Sequence, residues 1–282
     1  MRISSTARPN MTPLVNYRHR YVYYFNAKSA CSTYRRLFMS LHSHEKEYDE
    51  GTPHHLANRY WNPDPNQPYS DFFALTIVRN PFNRLVSAYL DKCFQWKYPE
   101  RERYTNQSVS KSIHPPIFNQ IGRKADYKQG FSFRELVSYL EVAIPEKTED
   151  VHFRPQADPD IRIDAFYRLE DPIEELQRIY RSIFEQKPKM LLRFERVFQK
   201  HLRVANSVRN PSFRKEDAGM HEGPCSDFTF ADFENLKMRN LRPRYSDFYD
   251  DDIAARVARL YALEIERYSY LPTPPQQSLT PI

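Results

Sequence analysis

Two short polar segments each follow an apolar, strand-like run and precede a run with helical periodicity. The first is NAKSACST, residues 26 to 33, which places Lys28 among small and hydroxyl-bearing side chains. The second is RNPFNR, residues 79 to 84, which begins with Arg79. Unpaired backbone N–H groups at a helix N-terminus favour a bound anion, and a nearby cation strengthens that preference. The two segments therefore predict two anion-binding loops, each with one basic side chain.

The first loop combines a mobile charge with hydroxyl donors. Lys28 supplies the charge, and Ser29, Ser32 and Thr33 supply the hydroxyl groups. Apolar residues then recur at i, i+3, i+4 and i+7, which predicts a helix from about residue 33. The loop contains no glycine, so it differs from the GxxxxGK[ST] loop of nucleoside triphosphatases. Alternatively, Ser32 or Thr33 only caps the helix while Lys28 is solvated.

The second loop follows FFALTIV, residues 72 to 78, whose continuous apolar character is typical of a strand covered on both faces. Asn80 is a predicted N-cap, and Pro81 is the predicted first helical residue. Arg79 then ends a parallel strand where open α/β sheets bind ligands, and its guanidinium can hold a phosphate bidentately. Ser87 lies about 12 Å further along the helix. Alternatively, Arg79 forms a surface ion pair and Ser87 permits close helix packing.

Strand-like and helix-like runs alternate along the chain. This alternation predicts an α/β fold in which helices flank a central parallel β-sheet. The predicted strands are 21–26, 72–78 and 163–169, and the predicted helices begin near residues 33, 81 and 172, with further ones at 132–143 and 251–268. We expect one domain over residues 17–271, a flexible N-terminal arm over 1–16 and a proline-rich disordered tail over 272–282.

Composition limits the class of protein further. The 282 residues are 40% hydrophobic and 28% charged, which is ordinary for a globular protein, and the net charge of +6 favours anionic partners. The three cysteines form no CxxC pair, so we predict neither a disulfide framework nor a zinc site. No apolar run is long enough to span a membrane, and the N-terminal residues lack the apolar segment of a signal peptide. We therefore expect a cytoplasmic protein, or a Golgi-lumen protein if an N-terminal anchor has been removed.

Together the two loops resemble the sulfotransferase family, and within it the carbohydrate sulfotransferases that act on chondroitin, dermatan or heparan. AKSACSTYR, residues 27 to 35, is similar to the family's PKxACxxWK, with Ala27 in place of proline and Tyr34 in place of tryptophan. VRNPFNRLVSAYLDK, residues 78 to 92, matches VRxPFxRLVSAYxDK almost letter for letter. HFRPQADPDIRIDAFYRLEDPIEEL, residues 152 to 176, and the ending RLYALEIERYSYL also resemble family segments.

This resemblance implies a P-loop-like sulfotransferase fold. It also implies 3′-phosphoadenosine-5′-phosphosulfate as the sulfuryl donor, with no metal. The residues that would hold the 5′-phosphosulfate, through side chains or backbone N–H groups, are Lys28, Ser29, Ala30, Cys31, Ser32 and Thr33. Arg79 and Ser87 would hold the 3′-phosphate. Lys28 would also stabilise the negative charge that develops on the leaving oxygen.

The attacking hydroxyl group also needs a general base. In heparan 2-O-type relatives, a histidine between the two loops has this role. This chain has four histidines in that interval: His42, His44, His54 and His55. We favour His54 or His55, because the other two follow the first helix and are expected to be solvated. His152 and Glu170 are alternatives at positions that match the family.

The acceptor is expected to be a glycan hydroxyl, and no nucleic-acid partner is expected. Trp61, Trp96 and Tyr98 lie near the expected acceptor side, although most aromatic residues must be core. RNPSFRK, residues 209 to 215, either completes the donor pocket, meets an anionic glycan or is a solvated loop. Two other functions stay open: a catalytically silent protein that binds an anionic glycan or a nucleotide, and a sulfotransferase for a small-molecule, lipid or tyrosine acceptor.

Overall fold

The structure is a computed structural model that describes residues 12–41, 63–64, 66–95, 113–126, 128–207 and 219–275. The described residues form two compact units, and each unit combines two stretches of chain. The sheet unit takes its residues from 9–79 and 156–211, and the helical unit takes them from 80–155 and 212–281. The prediction of one domain over 17–271 stays a prediction.

The described strands and helices alternate along the chain. The strands are β1 (Thr12–Asn16), β2 (Tyr21–Phe25), β3 (Phe73–Val78), β4 (Ala165–Arg168), β5 (Gly219–Met220) and β6 (Leu241–Arg242). The helices are α1 (Cys31–Leu41), α2 (Pro81–Ala88), α3 (His114–Gln120), α4 (Phe133–Ala143), α5 (Ile173–Phe184), α6 (Pro188–Ser207), α7 (Phe230–Met238), α8 (Asp251–Leu260) and α9 (Ala262–Arg267). A π-helical turn (Tyr89–Cys93) follows α2, and a 3-10 turn (Tyr245–Phe248) precedes α8.

The sheet unit is built on a four-stranded sheet in the order β1-β2-β3-β4. Strand β2 is parallel to β3, with Tyr24 opposite Thr76, and β3 is parallel to β4, with Val78 opposite Arg168. Strand β1 is antiparallel to β2. The predicted α/β fold, with helices around a mostly parallel central sheet, is confirmed.

Residues 12–16 form an edge strand, so the prediction of a flexible arm over 1–16 is wrong for this segment. Strand β1 pairs with β2 from Thr12 opposite Phe25 to Asn16 opposite Tyr21. The reason is burial, because Leu14 and Val15 are covered by the sheet unit's own apolar clusters. Residues 1–11 lie outside the described residues. Of the predicted tail, residues 272–275 carry no helix or strand, and 276–282 lie outside the described residues.

Alternating side chains of the sheet pack in opposite directions. The larger cluster joins β2 and β3 to helices α1, α5 and α6, and its central members are Tyr21, Tyr23, Leu37, Phe38, Leu75, Ile77, Tyr180 and Phe194. The smaller cluster uses Val15, Val22, Phe72 and Ala74. The long helix α6 was not predicted, although its Phe194 stacks on Tyr180 with ring centroids 5.0 Å apart.

In the helical unit, side-chain caps begin the helices where the sequence predicts them. The Asn80 Oδ1 atom accepts from the N–H groups of Phe82 and Asn83 at the start of α2. The Ser132 N–H donates to Glu135 Oε2 at 2.7 Å, and the Glu135 N–H donates back to Ser132 Oγ at 3.2 Å. The last predicted helix is present but breaks at Tyr261 into α8 and α9. Within the described residues, no helix is both long and apolar enough to span a membrane.

Candidate active site

The carboxyl ends of β2 and β3 bring the first predicted loop beside Arg79. Because Tyr24 lies opposite Thr76, the residues three positions later, Ala27 and Arg79, leave the sheet at the same level. The Arg79 guanidinium also donates through Nη1 to the carbonyl oxygen of Lys28 at 3.4 Å. The structure therefore places the two basic segments together at one edge of a parallel sheet, where α/β proteins bind ligands.

The loop between β2 and α1 has an unusual backbone. Lys28 has φ 66 and Ala30 has φ 52, whereas Ser29 between them does not share this left-handed conformation. Each left-handed residue with a Cβ atom costs roughly 1–2 kcal/mol. Such alternation turns successive N–H groups into one concave surface that suits an anion. The strain is therefore concentrated where the resemblance expects the phosphosulfate.

Helix α1 begins at Cys31, directly after the left-handed residue Ala30. The Tyr34 N–H donates to the carbonyl oxygen of Ala30 at 3.1 Å, which makes Ala30 the residue that precedes the first turn. Ser32 and Thr33 therefore lie inside the first turn, so neither is the N-cap that the alternative interpretation proposed. The N–H groups of this first turn have no acceptor within the helix. They are consequently directed toward the loop end of α1.

Gln156 connects both loops through one carboxamide, a feature that sequence analysis missed. Its Oε1 atom accepts from the Ser29 hydroxyl at 2.7 Å and from the Arg79 N–H at 2.9 Å. Its Nε2 atom donates to the Arg79 carbonyl oxygen at 2.7 Å. The residue is fully buried. The available signal was HFRPQ, a family-like segment in which Gln156 received no role.

This arrangement changes the contribution expected from Ser29. A hydroxyl group has a single proton to donate, and the Ser29 proton is directed to Gln156. Ser29 is also almost completely buried. Its predicted part in anion binding is thus limited to its backbone N–H group.

A second buried amide fixes the start of the first loop. The Asn26 Nδ2 atom donates to Thr76 Oγ1 at 3.0 Å and to the Ile77 carbonyl oxygen at 3.1 Å. The Thr76 hydroxyl in turn donates to the carbonyl oxygen of Tyr24 at 2.9 Å. Asn26 was not predicted as a site residue. Its contacts tie the residue before the loop to the central strand.

Two neighbouring residues of α1, Tyr34 and Arg35, lie in packed surroundings. Tyr34, which stands where the family has tryptophan, meets Tyr167 edge-on with ring centroids 6.3 Å apart. The Arg35 guanidinium carbon lies 3.3 Å from the centroid of the Phe25 ring, a cation–π contact. Burial lowers the pKa of Arg35 from its ordinary value. The positive charge of Arg35 is therefore poorly hydrated, and water screens its electrostatic field less.

Ser87 is the one residue of α2 that is not buried. It belongs to the helical unit, whereas Arg79 belongs to the sheet unit. A common 3′-phosphate contact of these two residues stays a prediction. Neighbouring Arg84 is instead buried in the helical unit, where its Nη2 atom lies 3.6 Å from Glu264 Oε1.

The structure describes only two of the candidate general bases, His152 and Glu170. His42, His44, His54 and His55 lie outside the described residues, as do Trp61, Trp96, Tyr98 and residues 209–215. His152 is described, and a carboxylate orients it. Its Nδ1 atom lies 2.5 Å from Asp150 Oδ1, and its backbone N–H donates to the same oxygen at 3.0 Å. Burial alone would raise the pKa of Asp150, but the hydrogen bonds from His152 outweigh it and lower that pKa.

Glu170, the other alternative base, lies in the turn after β4 in the sheet unit. The Leu169 N–H donates to the Val78 carbonyl oxygen at 2.8 Å, which extends the β3–β4 pairing to the residue before Glu170. Glu170 therefore follows the same carboxyl edge as Arg79. In the described part of the chain, no group of three histidine, cysteine, aspartate or glutamate side chains is placed to hold a metal ion.

The protein is an α/β protein whose sheet edge suits an anionic ligand. This edge carries the Lys28 loop, the N-terminus of α1 and Arg79. The comparison with known families makes the class specific. The sequence model of the sulfotransferase family matches residues 12–271, so the chain belongs to the sulfotransferase family. This match begins at β1, which agrees with its place in the sheet.

The relatives found among characterised proteins are named carbohydrate sulfotransferase 11. The proteins from Rattus norvegicus and Mus musculus are each 30% identical over 134 residues, which cover 43% of this chain and 37% of theirs. The Danio rerio protein is 31% identical over 105 residues, which cover 32% of this chain and 30% of its own. The matches thus span about a third of the relatives' length. No solved structure matches the chain significantly.

Proposed function

We propose that the protein transfers a sulfuryl group from 3′-phosphoadenosine-5′-phosphosulfate to a hydroxyl group of a glycan. The observation that carries the proposal is the contact of Arg79 with the Lys28 loop at one edge of a parallel sheet, in a chain of the sulfotransferase family. The similarity to proteins named carbohydrate sulfotransferase supports the glycan as acceptor.

Different residues of the two loops bind different parts of the donor. Lys28 and the backbone N–H groups of residues 28–33 bind the 5′-phosphosulfate. The left-handed residues of the loop and the helix N-terminus that follows them support this assignment. Cys31 and Ala30 contribute only backbone groups, and Ser32 and Thr33 add hydroxyl donors. Arg79 and Ser87 bind the 3′-phosphate. A strongly anionic donor thereby meets positive partners along its length.

The reaction is an in-line displacement at sulfur. The acceptor hydroxyl oxygen forms the new bond to sulfur while the bond from sulfur to the bridging phosphate oxygen breaks. The electron pair of that bond stays on the departing oxygen, and the Lys28 ammonium group stabilises its charge. The hydroxyl proton passes to a general base. Positioning and charge stabilisation supply most of the acceleration, as in phosphoryl transfer.

For the general base we propose His54 or His55, with His152 and Glu170 as alternatives. The Asp150 contact supports His152, because an Nδ1–H donor to a carboxylate leaves Nε2 as the basic atom. Replacing each of the four residues separately and measuring turnover against pH distinguishes them. The true base is the residue whose loss removes the acidic limb of the kcat profile.

The proposed function is tested by transfer from isotope-labelled donor. The acceptors are desulfated chondroitin, dermatan and heparan, alongside a tyrosine peptide, a phenol and a hydroxylated lipid. Label on a glycan alone supports the proposal, whereas label on the peptide, phenol or lipid identifies one of the other acceptor classes. Donor binding without label transfer to any acceptor indicates the catalytically silent binding protein. A tagged protein in cells tests the predicted cytoplasmic location against the Golgi lumen.

A further inference from the structure

We propose that Gln156 is a positioning residue of the donor site, which holds the Lys28 loop and Arg79 in the arrangement that donor binding requires. The inference rests on the proposed function, because it assumes that these two elements bind one donor. Gln156 itself is fully buried and bonds to protein groups at both ends of its carboxamide. Its effect on the donor is therefore exerted through Ser29 and Arg79.

The contact with Arg79 extends the sheet beyond its last strand pair. Strand β3 ends at Val78, so the backbone groups of Arg79 lie past the β3–β4 ladder. Gln156 accepts from the Arg79 N–H at 2.9 Å and donates to the Arg79 carbonyl oxygen at 2.7 Å. One carboxamide thus replaces the partner peptide that a longer strand would provide. This pairing fixes the direction in which the Arg79 side chain leaves the sheet.

The contact with Ser29 holds the strained part of the first loop. Ser29 lies between the two left-handed residues Lys28 and Ala30. Its hydroxyl donates to the same Gln156 oxygen that accepts from Arg79, at 2.7 Å. A loop that holds two non-glycine residues in a left-handed conformation is strained, so it relaxes once its anchor is removed. Gln156 therefore maintains the loop conformation as well as the direction of Arg79.

The three hydrogen bonds use the two ends of the Gln156 carboxamide differently, one as acceptor and one as donor, and this difference permits a specific test. Two of them require an acceptor at Oε1, and the third requires a donor at Nε2. A protonated glutamic acid provides both, since its carbonyl oxygen accepts and its O–H donates. An ionised glutamate only accepts and places a negative charge against the Arg79 carbonyl oxygen. Burial of the new carboxyl group favours its protonated form, whereas the positive charges of Lys28 and Arg79 favour the ionised form, and the protonated fraction is larger at pH 5 than at pH 8.

The experiment measures the dissociation constant of 3′-phosphoadenosine-5′-phosphate for wild type, Gln156→Glu and Gln156→Met at pH 5 and pH 8. Each variant is expressed as a ratio to wild type at the same pH, which cancels titration of the ligand. We expect Gln156→Met to bind at least tenfold more weakly at both pH values. We expect Gln156→Glu to bind at least tenfold more weakly at pH 8 and within about threefold of wild type at pH 5.

Gln177→Met is the matched control in the same unit, because Gln177 donates to Glu195 on helix α6 and not to either loop. Its ligand affinity should equal that of wild type. Ser29→Ala removes one of the three bonds and should show an intermediate loss without recovery at pH 5. If Gln156→Met does not fold, the inference is still tested by comparing Gln156→Glu, which should recover affinity at pH 5, with Ser29→Ala, which should not.

If Gln156 only supports the fold, its variants will have a lower melting temperature, but the folded variants will bind the nucleotide as tightly as wild type at both pH values. That result, or a loss of affinity in Gln156→Glu that is the same at pH 5 and pH 8, overturns the inference and leaves the proposed function intact. Failure of the wild type to prefer the 3′-phosphorylated nucleotide over adenosine 5′-phosphate overturns both. In the transfer assay, the expected signature is a higher KM for the donor together with a lower kcat.

Discussion

Protonation of a buried histidine should make the stability of the protein fall steeply below neutral pH. His114, at the start of α3, is completely buried, and its Nε2 atom lies 3.0 Å from the Cys93 carbonyl oxygen. Its ring packs against Phe131 and Phe230 at centroid distances of 5.4 and 5.9 Å. Burial lowers the pKa of His114 from 6.5 to about 4, and the hydrogen bond to Cys93 opposes the shift only in part. The imidazole is therefore neutral in the folded protein.

The direction in which pH changes the stability follows from proton binding to His114 in the folded and unfolded states. Above pH 6.5 the imidazole is neutral in both states, and its contribution to folding is complete. Between pH 6.5 and about 4 the unfolded chain binds a proton that the folded protein excludes, so stability is lost as the pH falls. At about 1.4 kcal/mol for each pH unit, the loss amounts to about 3 kcal/mol.

The assay compares urea unfolding of wild type and His114→Gln at pH values from 7.5 to 4. Glutamine can donate to the same carbonyl oxygen but does not titrate, and the other acidic groups contribute equally to both proteins. We expect the difference in unfolding free energy between the two proteins to shift by about 3 kcal/mol in favour of the variant across this range. A difference that stays constant with pH would refute the neutral, buried state of His114.

Three further substitutions test the site and the fold. Arg79→Ala should weaken binding of 3′-phosphoadenosine-5′-phosphate by roughly 1.5–3 kcal/mol in calorimetry, because it removes a charge-assisted contact; unchanged affinity would exclude Arg79 from the site. Lys28→Ala should reduce kcat more than nucleotide affinity, so equal losses in both would contradict its role at the leaving oxygen. Glu264→Gln should cost about 3–5 kcal/mol in thermal or urea unfolding, since Arg84 loses its buried counter-charge, and a cost below about 1 kcal/mol would show that the pair is not coupled.

The parts of the fold that the sequence predicted depend on neighbours close in the chain. Asn80 caps α2 through residues two and three positions later, and Ser132 caps α4 through Glu135. The apolar run before Arg79 likewise indicates a buried strand without reference to any partner. Patterns among residues close together in the sequence therefore identified the central sheet and the helices that follow its strands.

The features that were missed depend on partners far away in the chain. Leu14 and Val15 look like part of a loose arm until β2 is placed beside them. Gln156 bonds to Ser29 across 127 positions and to Arg79 across 77, so no local pattern reveals it. The left-handed residues of the first loop, Lys28 and Ala30, are not glycines, so no residue type in the sequence marks this conformation.

Selective recognition of the 3′-phosphate is the most direct test of a sulfotransferase donor site in this protein. Calorimetric titration with 3′-phosphoadenosine-5′-phosphate, adenosine 5′-phosphate and ATP measures that selectivity. We expect tight binding of the first nucleotide only, and loss of the preference in Arg79→Ala. Equal affinity for all three nucleotides, or a preference that survives Arg79→Ala, would contradict the assignment of this sheet edge as the donor site.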